Sequence, residues 1–123
     1  MERVLETEFC KFWTDGDILY IIYKPIEYLD IDIAKNIVSS RLRFQQGRKQ
    51  VIFCDTRGIM DSSKIARDYL ALEGSILTQK IAIFDDRKFA TVMLKYYLFR
   101  NVPIVPTAIF TNRDDAITFL RIN

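Results

Sequence analysis

No histidine occurs anywhere in the 123 residues. The commonest general base near neutral pH is missing, and with it the serine–histidine and cysteine–histidine nucleophile schemes. Most zinc and non-haem iron sites go the same way. Cysteine is nearly as scarce. Cys10 and Cys54 lie in apolar runs without metal-type spacing, so they read as unpaired buried thiols of a reducing compartment. The four glycines, Gly16, Gly47, Gly58 and Gly74, are scattered, which argues against a phosphate-cradling loop or a dinucleotide fingerprint. No apolar run approaches the roughly 20 residues that span a bilayer. The charged start MERVLETEF lacks the apolar segment of a signal peptide. No linker, internal repeat or low-complexity segment divides the chain, so one domain over residues 1–123 is expected.

Hydrophobic residues make up 50% of the chain, enough for a core between packed layers. Eighteen Lys and Arg face 16 Asp and Glu, a formal net charge of +2. The two signs are interspersed, and a balance this even argues for neither nucleic acid nor an anionic membrane as partner. The expectation is a cytoplasmic protein that is not an enzyme, with no catalytic residues, no metal and no cofactor.

Periodicity sets out the elements. Glu8 to Thr14 reads as a strand, Asp15-Gly16 as a hairpin turn, and Ile18 to Tyr23 as a second, almost wholly apolar strand. Asp30 caps a helix whose stripe is Ala34, Ile37, Val38 and Leu42, and Gly47 closes it. Val51 to Cys54 is a short buried strand. The Asp61-Ser62-Ser63 turn follows, with Asp61 or Ser62 as cap, and opens a helix with Ile65, Ala66, Tyr69, Leu70, Leu72 and Ile76 facing inward. Lys80 to Phe84 is the next strand. The helix after it carries a stripe of Phe89, Val92, Met93 and Tyr96, and ends at Asn101-Val102-Pro103. Thr107 to Phe110 is the last strand, and a helix capped by Thr111 or Asn112 closes the chain, with Asp114 and Asp115 in its first turn. The order ββαβαβαβα predicts an α/β fold with a mixed sheet and helices packed on it.

This order, together with the stretch VIFCDTRGIMDSS from Val51 to Ser63, resembles the STAS domains, the SpoIIAA-like fold of the anti-sigma-factor antagonists. In that family a short strand ends in aspartate, a turn follows, and Asp-Ser-Ser-Gly opens a helix. Here Val51–Asp55 matches the strand, Gly58-Ile59-Met60 the turn and Asp61-Ser62-Ser63 the triplet, while Lys64 stands in place of the glycine. The tail AIFTNRDDAITFL, Ala108 to Leu120, is similar to the closing strand and helix of the soluble branch. The resemblance implies a single STAS-like domain, a protein partner such as a signalling kinase, and Ser62 or Ser63 as a phosphorylation site.

The residues themselves leave three readings open. In the first, Asp55, Arg57, Asp61, Ser62 and Ser63 share one rim, where a strand stops and a helix begins, and meet a protein partner. In the second, the same rim binds a small ligand or anion, or supports weak catalysis, with Asp55 as base or anchor and Arg57 as anion clamp. In the third, the aromatic run Tyr96, Tyr97 and Phe99 exceeds what one helix stripe can bury and forms a homodimer interface. Each has a plain structural alternative. Asp61 or Ser62 only caps a helix, Asp55 and Arg57 satisfy each other, and the basic cluster Arg41, Arg43, Arg48 and Lys49 only complements a helix C-terminus.

Overall fold

A computed structural model of the chain describes residues 3–100 and 102–122. Its elements are β1 (Val4–Glu6), β2 (Cys10–Asp15), β3 (Ile18–Tyr23), α1 (Ile31–Gln45), β4 (Gln50–Asp55), α2 (Lys64–Glu73), β5 (Thr78–Phe84), α3 (Lys88–Arg100), β6 (Thr107–Phe110) and α4 (Arg113–Arg121). The six strands form one mixed sheet in the order β1-β2-β3-β4-β5-β6. The first three run antiparallel and β3 to β6 run parallel.

From β2 onward the order is the one expected from periodicity. The structure adds a short edge strand, β1, and starts the following strand at Cys10 rather than Glu8. Leu5 lies opposite Phe12, and Thr7 forms the turn by accepting from the Cys10 amide at 3.1 Å. The Asp15-Gly16 hairpin is as expected, with Gly16 at φ 61°.

Topology decides where the helices go. Each parallel step moves to the next strand in the same direction, so right-handed crossovers place α1, α2 and α3 on one face of the sheet. The helix after β6 then covers the other. Two cores result. One gathers Phe12, Leu19, Ile21, Ile37, Phe44 and Ile52. The other gathers Tyr20, Phe53, Ala82, Phe84, Ala116 and Leu120 under α4. The wholly apolar run of β3 is explained by burial on both faces.

The caps are local. Asp30 Oδ1 accepts from the Ile33 amide at 2.9 Å at the start of α1. Gln46 and Gly47, at φ 50° and 79°, end that helix in the left-handed region. Asn112 caps α4 by accepting from the Asp115 amide at 3.1 Å.

The stripes of α2 and α3 differ from expectation. Ile65, Leu72 and Ile76 are exposed, and so are Phe89, Val92 and Tyr96. In α3 the face turned toward the sheet carries Ala90, Thr91, Leu94, Tyr97 and Leu98. Both helices are apolar on more than one side, so a stripe read from spacing alone could be drawn on the wrong face.

Candidate functional site

The C-terminal ends of β4 and β5 carry the same device twice. Asp55 Oδ1 accepts from the backbone amide of Arg57 at 3.0 Å and from its Nε at 3.1 Å, and Oδ2 accepts from Nη2 at 2.8 Å. One strand over, Asp85 Oδ1 accepts from the Arg87 amide at 3.1 Å and from its Nε at 3.0 Å, and Oδ2 accepts from Nη2 at 2.8 Å. Asp-x-Arg at a strand end folds the arginine back on its own carboxylate in a forked pair. Thr56 joins the two by donating its hydroxyl to Asp85 Oδ2 at 2.7 Å. Arg87 also reaches the carbonyls of Ile59 at 2.8 Å and Thr56 at 3.1 Å.

These charges therefore hold the strand ends together. Burial alone would raise the Asp85 carboxyl, but hydrogen bonds from Arg87 and Thr56 outweigh it and hold the group below its usual range. The same bonds raise the guanidinium of Arg87, and Asp55 does the same for Arg57. Asp55 is 3% exposed.

The chain after Gly58 is clamped. Residues 26–29 run parallel to residues 59–62, through bridges between Ile26 and Ile59 and between Leu29 and Ser62. Gly58 permits this approach, because a Cβ there would overlap the carbonyl oxygens of Tyr23 and Lys24. The bridge sets the register of the Asp-Ser-Ser triplet. Ser63, rather than Asp61 or Ser62, becomes the cap of α2, accepting from the Ala66 amide at 3.1 Å. Asp61 is exposed, and its Oδ1 accepts from the Ser62 amide at 2.8 Å. Ser62 is half-buried. Its hydroxyl and carbonyl oxygens accept from Arg67 at 3.2 and 2.7 Å.

Ser62, Ser63 and Asp61 thus sit together at the start of α2, with Arg57 exposed on the neighbouring turn. The Asp55 carboxylate lies beneath that turn, turned to Arg57.

Behind this rim lies the feature that no sequence motif signals. A cavity of about 770 Å³ runs between the sheet and the helices, with Ile37, Ile52, Leu70, Ile83, Met93 and Leu98 among its lining. It exists because α3 stands off the sheet. Ile81 and Ile83 on β5 are only half-buried for that reason. Ser62, Arg67 and Arg87 border it, as do Tyr23, Arg41 and Cys54. Across it, the Arg67 guanidinium lies 3.9 Å from the centroid of the Tyr97 ring. Tyr97 is therefore turned inward, while Tyr96 and Phe99 remain exposed.

Arg41 departs most from expectation. It is no surface cation but is 3% exposed. It donates to the side-chain oxygen of Gln45, to the Ile76 carbonyl at 2.9 Å and to the Glu73 carbonyl at 3.3 Å. Gln45 in turn donates to the Leu77 carbonyl at 2.9 Å. No carboxylate lies within ion-pair distance of Arg41 among the described residues. Its charge is instead met by the carbonyl-rich end of α2. Desolvation lowers its guanidinium. One signal was present in the sequence: Arg41 and Gln45 continue the stripe of Ala34, Ile37 and Val38 at helical spacing.

Tyr23 and Cys54 add polar atoms to the cavity wall. Burial pushes the Cys54 thiol up to about 12, with the nearby Asp55 carboxylate adding to the effect, and pushes the Tyr23 hydroxyl well above its usual value. Both stay neutral at physiological pH, so neither is an activated nucleophile. Cys10 and Cys54 are unpaired thiols. Among the described residues, no group of three Cys, Asp or Glu side chains is placed to hold a metal ion.

A family model described as a domain of unknown function, DUF7793, matches residues 12–122. The chain belongs to the DUF7793 family. Among solved structures, an uncharacterised DUF3478-family protein with a SpoIIAA-like fold from Shewanella loihica PV-4 is similar to it. The TM-score is 0.58 and the identity 10%, over 98% of this chain and 92% of that one. The fold is therefore SpoIIAA-like, as the strand-turn-Asp-Ser-Ser resemblance implied. No curated protein matches the sequence. No helix among the described residues is long and apolar enough to cross a membrane.

Proposed function

We propose that this DUF7793 domain is a non-catalytic binding module that takes an apolar small molecule into the cavity between α2, α3 and the sheet. The observation that carries this reading is the cavity itself. Its volume of about 770 Å³ lies inside the roughly 300–1,000 Å³ range of small-molecule sites. Its wall is mainly aliphatic and aromatic, with Arg41, Arg67, Asp85 and Arg87 among its polar lining. The strand-end carboxylates, the natural candidates for acid–base work, are occupied by Arg57 and Arg87. Unpaired thiols are consistent with a cytoplasmic location.

Filling the cavity tests this. Ala71 and Ala90 both line it. An environment-sensitive apolar dye should bind the wild type saturably. The Ala71→Phe/Ala90→Phe protein, checked for an unchanged circular dichroism spectrum, should bind at least tenfold more weakly. Equal binding by the two proteins would place the ligand elsewhere.

A second reading keeps the start of α2 for a protein partner, in line with the implied phosphorylation at Ser62 or Ser63. It draws on Met60, 71% exposed beside exposed Arg57 and Asp61. Of the two serines, Ser63 spends its hydroxyl on the cap, whereas Ser62 faces Arg67, a ready counter-charge for phosphate. Mass spectrometry after incubation with cellular kinases checks this reading. Modification at neither serine, with unaltered pull-downs for Ser62→Ala, would remove it.

A further inference from the structure

The even charge balance of the whole chain conceals a strongly one-signed segment. Between Asp86 and Asp114 there is no carboxylate. That segment contains all of α3, whose outer face is apolar. Phe89 is 78% exposed and Phe99 80%, with exposed Val92 and Tyr96 between them. Exposed Val102 and Ile104 continue the apolar surface beyond the helix end. At about 100° per residue, Lys88 and Lys95 fall on one edge of this stripe and Arg100 on the other. All three cations are exposed, and none forms a salt bridge among the described residues.

From this arrangement we infer that the outer face of α3 docks on an anionic phospholipid surface. The inner side of α3 is taken up by the domain itself, and an exposed apolar stripe bordered by cations is the surface an interfacial helix presents to a bilayer, with its apolar side chains at the boundary between headgroups and acyl chains. Phe and Val reach the acyl boundary. Tyr96 suits the headgroup level. Lys88, Lys95 and Arg100 meet lipid phosphates and carboxylates. Charge complementarity selects this occupant. Cores of protein interfaces are depleted of lysine, and a second copy of the chain would bring the same three cations against these three. The face shares only Phe89 with the lining of the cavity, while Val92, Tyr96, Phe99 and the three cations lie outside that lining, so the inference stands whether or not a small ligand binds there.

Cosedimentation of the full chain with vesicles tests it. Vesicles of phosphatidylcholine with phosphatidylserine should carry the protein down. Phosphatidylcholine alone should not, and raised salt should release it. Phe89→Ser/Phe99→Ser should weaken the apparent affinity at least tenfold. Lys88→Gln/Lys95→Gln/Arg100→Gln should abolish the preference for phosphatidylserine. These side chains are exposed, and an unchanged circular dichroism spectrum confirms that the variants fold. Absence of binding to anionic vesicles, or equal binding by the variants, overturns the inference. So does light scattering that shows a dimer which Phe89→Ser/Phe99→Ser turns into a monomer, because the face would then be covered by a second copy.

Discussion

The guanidinium of Arg67 lies 3.9 Å from the ring centroid of Tyr97 and ties α2 to α3 across the mouth of the cavity. The same guanidinium donates to the Ser62 carbonyl at 2.7 Å. One side chain thus couples the start of α2, where the resemblance places the phosphorylation site, to the helix that stands off the sheet.

Arg67→Ala should loosen α3 more than it destabilises the fold. A partly exposed cation–aromatic contact is worth about 0.5–1 kcal/mol, a small part of a domain's stability. Hydrogen exchange read by mass spectrometry should show faster exchange in α3, while β3 and β4 keep their protection. Unaltered exchange in α3 would mean that the contact does not hold the helix.

Asp85→Asn should cost about 2 kcal/mol at neutral pH, because it removes the charged acceptor shared by Arg87 and Thr56. The pH dependence follows from the direction of the shift. The folded carboxyl titrates below its ordinary 3.8, so the unfolded chain takes up the proton first as pH falls. The stabilisation is complete above the unfolded value and is lost as pH drops through the folded one. Urea melts of wild type and variant should keep their full difference from pH 7 down to about the unfolded value of 3.8, and should converge only as pH falls further, through the lowered folded value. A gap that stays constant on acidification would remove Asp85 from the account.

Arg41→Leu should be among the most damaging single changes, at about 3 kcal/mol. It leaves the carbonyls of Glu73 and Ile76 and the side-chain oxygen of Gln45 without their donor in a buried setting. Denaturant midpoints measure the cost. Arg43→Leu, two residues on and therefore on the opposite, exposed side of α1, should change stability by less than about 0.5 kcal/mol. Similar losses at both positions would contradict the buried network.

Much of the fold was legible because strands and helices differ in period and because caps use few residue types. The run Ile18 to Tyr23, the Asp15-Gly16 turn and the Asp30 cap could each be read from a handful of neighbours. β1 was missed for a physical reason. It is a three-residue edge strand with one half-buried side chain, too short for alternation to register. The candidate site was legible only as a list of residue types. Asp61, Ser62 and Ser63 are all good caps, and spacing could not choose among them.

The chain alone determined the α/β order, the strand-end Asp-x-Arg pairs and the lack of histidine chemistry, since these depend on composition and on contacts within a few residues. Tertiary structure decided the rest. The parallel clamp between residues 26–29 and 59–62 set which serine caps α2. Packing drew Arg41 inside to meet the end of another helix. The stand-off of α3 divided its aromatics between a cavity wall and an open face. Each of these outcomes joins groups far apart in sequence, and an almost uniformly apolar helix carries no local signal of which side will be covered.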